Sequence, residues 1–77
     1  MKEFVEYIAK SIVDNPDQVI VEDKAIEEKK IVLALRVHSS DVGKVIGKQG
    51  KTAQAIRVLL QAIAAKEGKR AILEIID

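Results

Sequence analysis

The four residues Gly47-Lys48-Gln49-Gly50 lie between two stretches of helical apolar spacing, and they leave room for only a tight turn between them. Upstream, Val42, Val45 and Ile46 share one face of a short helix; downstream, Ala53, Ile56, Leu60, Ile63 and Ala64 recur at intervals that mark a longer one ending at Gly68. Two helices joined so closely must pack near each other, so the second half of the chain is built around a helical corner. Three of the four glycines fall here, each followed by lysine: Gly43-Lys44, Gly47-Lys48 and Gly50-Lys51.

The rest of the chain supplies a sheet for that corner to rest on. Residues 2–13 place Phe4, Val5, Ile8 and Ile12 on one helical face, and Asn15-Pro16 ends the helix because a residue before proline is forced out of the helical region. Asp17–Asp23 and Ile31–His38 read as strands joined by a charged connection, Lys24–Lys30. In the second strand Ile31, Leu33, Leu35 and Val37 share one face, and Val32, Ala34 and Arg36 the other. Ser39, Ser40 and Asp41 are candidate caps for the short helix, and Arg70–Ile76 is a third strand. The order predicts an α+β fold, a three-stranded mixed sheet with helices on one face, in a single domain spanning residues 1–77.

At 77 residues there is room for one small core. No stretch reaches the roughly 20 apolar residues of a membrane span, no N-terminal secretory pattern is visible, and cysteine is absent, so a soluble cytoplasmic protein without membrane partner is expected. The net charge of +1 conceals an uneven distribution: residues 1–35 sum to −3, and residues 36–57 to +4 through Arg36, Lys44, Lys48, Lys51 and Arg57 against Asp41 alone. The positive charge gathers around the tetrad, where a polyanion would dock.

A GxxG spacing alone is weak, since chance supplies about 0.2 such pairs in a chain of this composition; its setting carries the weight. Glycines at both ends remove side chains that would keep another backbone away and permit positive φ. Gly50-Lys51 opens a helix whose unpaired N–H groups face the turn. Lys48 and Gln49 are placed to meet phosphates, with Lys44 and Lys51 flanking them. The alternative is a helical corner whose glycines only make the turn.

Val45-Ile46-Gly47-Lys48-Gln49-Gly50 resembles the VIGxxG signature of KH domains, single-stranded nucleic-acid binders whose loop clamps about four nucleotides. With a helix and a strand before the strand-helix-helix-strand core, the chain is similar over nearly its whole length to the type II, bacterial form, and most of all to small stand-alone bacterial KH proteins. The resemblance implies a post-transcriptional regulator or RNA chaperone that binds single-stranded RNA, self-associates as a homodimer and pairs with a second KH-containing protein. It assigns backbone clamping to Gly47, Lys48, Gln49 and Gly50, and an apolar groove wall to Val42, Val45, Ile46 and Ile56, beside the cations Lys44, Lys51 and Arg57. Val42 and Ile56 are also natural core residues, so Ile46, adjacent to the loop, is the expected base contact. Many KH domains carry Ile or Val three residues after the second glycine; Ala53 stands there instead, which leaves the groove depth open. Gly43, inside the short helix, either admits the close approach of a strand or partner or marks a poorly formed helix.

Other chemistries lack their residues. His38 is the only histidine, no carboxylate pair is placed for catalysis, and no metal or cofactor set is expected, so the chain does not read as an enzyme. A phosphate-binding Walker loop or a dinucleotide fingerprint would need glycine where Val45 stands. Phe4 and Tyr7, both on the first helix, offer no stacking platform, so weak binding with little base preference is expected. The rival function is a KH fold used for protein docking, through Tyr7 and Val13 on the first helix or Val58 and Leu59 on the long one.

Overall fold

A computed structural model describes residues 1–76. Helix α1, Lys2–Ile12, buries Val5 and Ala9 and packs Phe4 and Ile8 beside them. The expected stripe therefore holds except at its end: Ile12, on the last turn, is exposed. Val13, extended immediately after the helix, is half-buried and packs against the core in its stead.

Strand β1 runs Ile20–Ile26, three residues later than expected, because Pro16–Gln18 form a 3₁₀ turn. Proline opens that turn, where its fixed φ suits the helix and its missing N–H would have had no partner. The hairpin connection is correspondingly shorter, closed by the Glu27 N–H donating to the Lys30 carbonyl at 2.8 Å. Lys24 joins the strand at a bulge between Asp23 and Ala25 and reaches across the central strand to Glu74, 2.6 Å away.

Strand β2, Lys30–Arg36, is shorter than the predicted Ile31–His38 but keeps its predicted faces. Ile31, Leu33, Leu35 and the following Val37 are buried; Val32 and Ala34, on the other face, are also nearly closed because β2 has a neighbour on each side. β1 pairs with it antiparallel and β3, Arg70–Ile76, parallel, giving the expected mixed sheet.

A 3₁₀ turn at Ser39–Asp41 leads into α2, Val42–Ile46, and beyond the tetrad α3 spans Lys51–Lys66. The first turn is capped by His38, whose Nδ1 accepts from the Ser40 N–H at 3.1 Å, rather than by either serine. α3 ends in a Schellman motif: Lys69 N–H donates to the Ala64 carbonyl and Gly68 N–H to that of Ala65, both at 3.0 Å, with Gly68 at φ 70°. Ala53, Ile56, Leu60 and Ala64 are buried along α3, and Ile63 half-buried. Val5 and Ala9, Val45, and Ile56, Leu60 and Ala64 share one core with Val21, Leu33, Leu35 and Leu73, so the three helices cover one face of the sheet. Among the described residues no helix is long and apolar enough to cross a membrane.

Candidate nucleic-acid interface

The tetrad is a turn that only its glycines permit. Gly47 takes φ 77° and ψ 173° while its N–H closes the last turn of α2 on the Gly43 carbonyl, and Gly50 takes φ 75° and ψ 10° at the entrance to α3. A Cβ on Gly47 would stand 2.2 Å from the Thr52 hydroxyl oxygen and 2.8 Å from the Thr52 nitrogen. Thr52, which carried no signal in the sequence, therefore forms the back of the turn and drives Lys48 and Gln49 to its exposed tip. Gln49 is itself left-handed, at φ 58° and ψ 27°, a conformation few side chains favour. Gly43 has open space where a Cβ would lie, so among the described residues no other element approaches it closely.

The predicted site residues divide into a surface and its support. Lys48, Gln49, Lys51 and Arg57 are exposed, and Ile46, 39% exposed, is the apolar residue beside the turn. Val45 and Ile56 are closed off in the core, and Val42 is half-buried against it; these three hold the wall from behind and present little or no surface. Lys48 and Lys51 have no carboxylate within ion-pair distance among the described residues, whereas the Lys44 ammonium lies 3.2 Å from Asp14. Arg57 reaches to β3, where its guanidinium donates to the Leu73 carbonyl.

What anchors the whole corner is a buried charge. Asp41 has no exposed surface, and its carboxylate accepts from the Asp14 N–H at 3.2 Å, the Asn15 N–H at 3.0 Å and the Asn15 side-chain amide at 3.0 Å. Burial pushes its pKa up, but the Asn15 amide, the two N–H groups and the Lys44 ammonium outweigh that and hold it below the usual carboxylate value. Asp41 thus tethers the end of α1 to the start of α2, a role that no local pattern distinguishes from helix capping.

The chain matches the KhpA/KhpB KH-domain family model over residues 2–75. The chain belongs to this family. Among its relatives are the "RNA-binding protein KhpA" of Clostridium perfringens, 53% identical with 99% of this chain and all of the relative covered, and that of Aquifex aeolicus, 51% identical with 100% and 96% covered. The Treponema pallidum protein of the same name is 50% identical, with 99% and 94% covered. No solved structure gives a significant match. Membership in the KhpA/KhpB family settles the fold as the KH arrangement expected from the VIGKQG stretch, and it favours the nucleic-acid reading of the corner over docking alone.

Proposed function

We propose that the protein binds single-stranded RNA, with the sugar-phosphate backbone clamped at Gly47–Gly50 and the bases laid in the cleft between Ile46 and the outer edge of β3. The observation that carries this reading is the turn itself: Thr52 closes its back, its tip presents Lys48 and Gln49, and Lys48 and Lys51 stay free of acidic partners among the described residues. Relatives named as RNA-binding proteins, at about half identity over all or nearly all of their length, support the same assignment. Gly47, Lys48, Gln49 and Gly50 meet the backbone, Lys51, Lys44 and Arg57 supply attraction, and Ile46 touches a base; Val42, Val45 and Ile56 shape the groove from within.

A single copy binds weakly, because one short clamp without aromatic stacking makes few contacts. Pairing with a second KH domain, in a homodimer or with a KhpB-like protein, raises avidity without any new RNA contact. Exposed Ala55, Val58 and Leu59 on α3 support such pairing. The whole chain acts as one KH unit in post-transcriptional regulation in the cytoplasm.

The test is fluorescence anisotropy with a mixed-sequence RNA of about a dozen nucleotides, enough for two footprints of about four. Wild type should bind with an affinity that falls as salt rises, and Lys48→Asp/Gln49→Asp should lose at least roughly tenfold while its circular dichroism is unchanged. Equal binding by both proteins would end the clamp reading. Asp14 gives a smaller prediction: Asp14→Asn releases Lys44 from an exposed ion pair worth no more than about 1 kcal/mol. RNA affinity at low salt should rise roughly twofold to threefold with thermal stability almost unchanged, and no rise would remove Lys44 from the interface.

A further inference from the structure

β3 is an outer strand, and successive residues of a strand direct their N–H and C=O groups alternately toward a neighbour and away from it. Ala71 and Leu73 belong to the outward set, and side chains of α3 occupy them. The Gln61 carboxamide takes both groups of Ala71: its Oε1 accepts from the Ala71 N–H at 3.2 Å, and its Nε2 donates to the Ala71 carbonyl. Arg57 donates to the Leu73 carbonyl from Nε at 3.3 Å and from Nη2 at 3.1 Å. α3 and β3 run in opposite directions, so Ile75, Leu73 and Ala71 recede from the Gly47–Gly50 turn in that order. No side chain among the described residues caps Ile75.

A carboxamide presenting an acceptor and a donor side by side makes the same two-point contact as the edge of a nucleobase. It fills the place where a base would pair with main chain. We propose that Gln61 is the stop at the far end of the RNA cleft: it closes Ala71 to bases and confines main-chain readout to Ile75 and the free N–H of Leu73. This rests on the RNA-binding reading above and adds to it the residue that limits the footprint. The competing role is protection of a strand edge against pairing with another strand, a common use of side chains at sheet edges.

Gln61 is exposed, so Gln61→Ala should fold, and Gln61→Ser, too short to span the gap, should behave alike. The measurement is affinity for oligoadenylates lengthened one nucleotide at a time from four, on wild type, both variants and Lys48→Asp/Gln49→Asp, with amide hydrogen exchange at Ala71. In wild type the fifth nucleotide should add less than about twofold; in the Gln61 variants it should add roughly threefold to tenfold, the worth of one net hydrogen bond or so. The Ala71 amide should be protected in free wild type, unprotected in the free variants and protected again when the longer RNA binds. Identical length dependence in wild type and variants, or an Ala71 amide that stays open in the RNA complex, reduces Gln61 to an edge guard and overturns the proposal. If wild type itself binds none of the oligomers, the clamp reading falls first and the footprint limit with it.

Discussion

Replacing Gly47 with alanine is expected to destabilise the fold by about 3 kcal/mol and to abolish RNA binding in whatever fraction still folds, whereas Gly50→Ala should cost only about 1–2 kcal/mol. Both glycines have positive φ, at 77° and 75°, so conformational strain alone does not separate them strongly. Their surroundings do. An alanine Cβ at position 47 would fall 2.2 Å from the Thr52 Oγ1 and 2.8 Å from the Thr52 main-chain nitrogen; at position 50 nothing lies within 4 Å. A rotamer change moves the Thr52 Oγ1 but neither its Cβ nor its main-chain nitrogen, and that backbone lies in the first turn of α3, so relief at Gly47 means pulling the turn off the helix that supports it. Urea denaturation of the two variants checks the ratio, and binding of RNA checks the consequence. Equal losses would mean that the contact with Thr52 does not set the turn. Thr52→Ala, which removes the Oγ1 but keeps the Cβ and the main-chain nitrogen, should rescue Gly47→Ala only in part, because the contacts with those two atoms remain.

The second large effect is expected at Asp41. Asp41→Asn replaces one carboxylate oxygen with a donor that faces either the Asp14 N–H or the two Asn15 donors, and it should lower the melting temperature at pH 7 by roughly 5–10 °C. The dependence on pH fixes the cause. In the unfolded chain the carboxyl takes up its proton near 3.8, and in the fold only at lower pH. Between those two values the unfolded state binds more protons, so stability climbs with pH through that window and is fully present above it. The gap between wild type and Asp41→Asn should therefore be constant above about pH 5 and narrow below about pH 4. Thermal melts of both proteins from pH 7 to pH 3 would show it; a gap that does not narrow in acid would assign the loss to packing rather than to charge.

Most of the second half of the fold was legible because its signals are local. The spacing of Ala53, Ile56, Leu60 and Ala64 places one face of α3 in the core, Gly68 ends it as a left-handed residue, and Arg70–Ile76 forms the strand where its β-branched run suggested. The first strand was displaced because two local signals competed: Val19, Ile20 and Val21 make Asp17–Asp23 rich in strand-forming residues, but Pro16 starts a turn that consumes Asp17 and Gln18. The extension to Ile26 rests on Ala25 and Ile26 pairing with Val32 and Ile31, whereas the charge of Lys24, at the bulge and paired across the central strand with Glu74, reads as loop in the sequence.

The candidate interface divides along the same line. Sequence alone determined the tetrad, the lysines in and around it and the apolar stripes on either side, because backbone freedom at glycine and helical periodicity are properties of a few neighbouring residues. Only the tertiary structure decided which of those residues face outward. Val45 and Ile46 are adjacent and equally apolar, yet one is sealed in the core and the other lies 39% exposed beside the turn. Tertiary structure also decided that Lys44 pairs with Asp14, that Asp41 anchors α2 from within, and that Gln61 and Arg57 occupy the edge of β3. These are contacts between polar groups distant in sequence. Their geometry exists only once the hydrophobic core has brought the elements together, and no residue type announces its partner in advance.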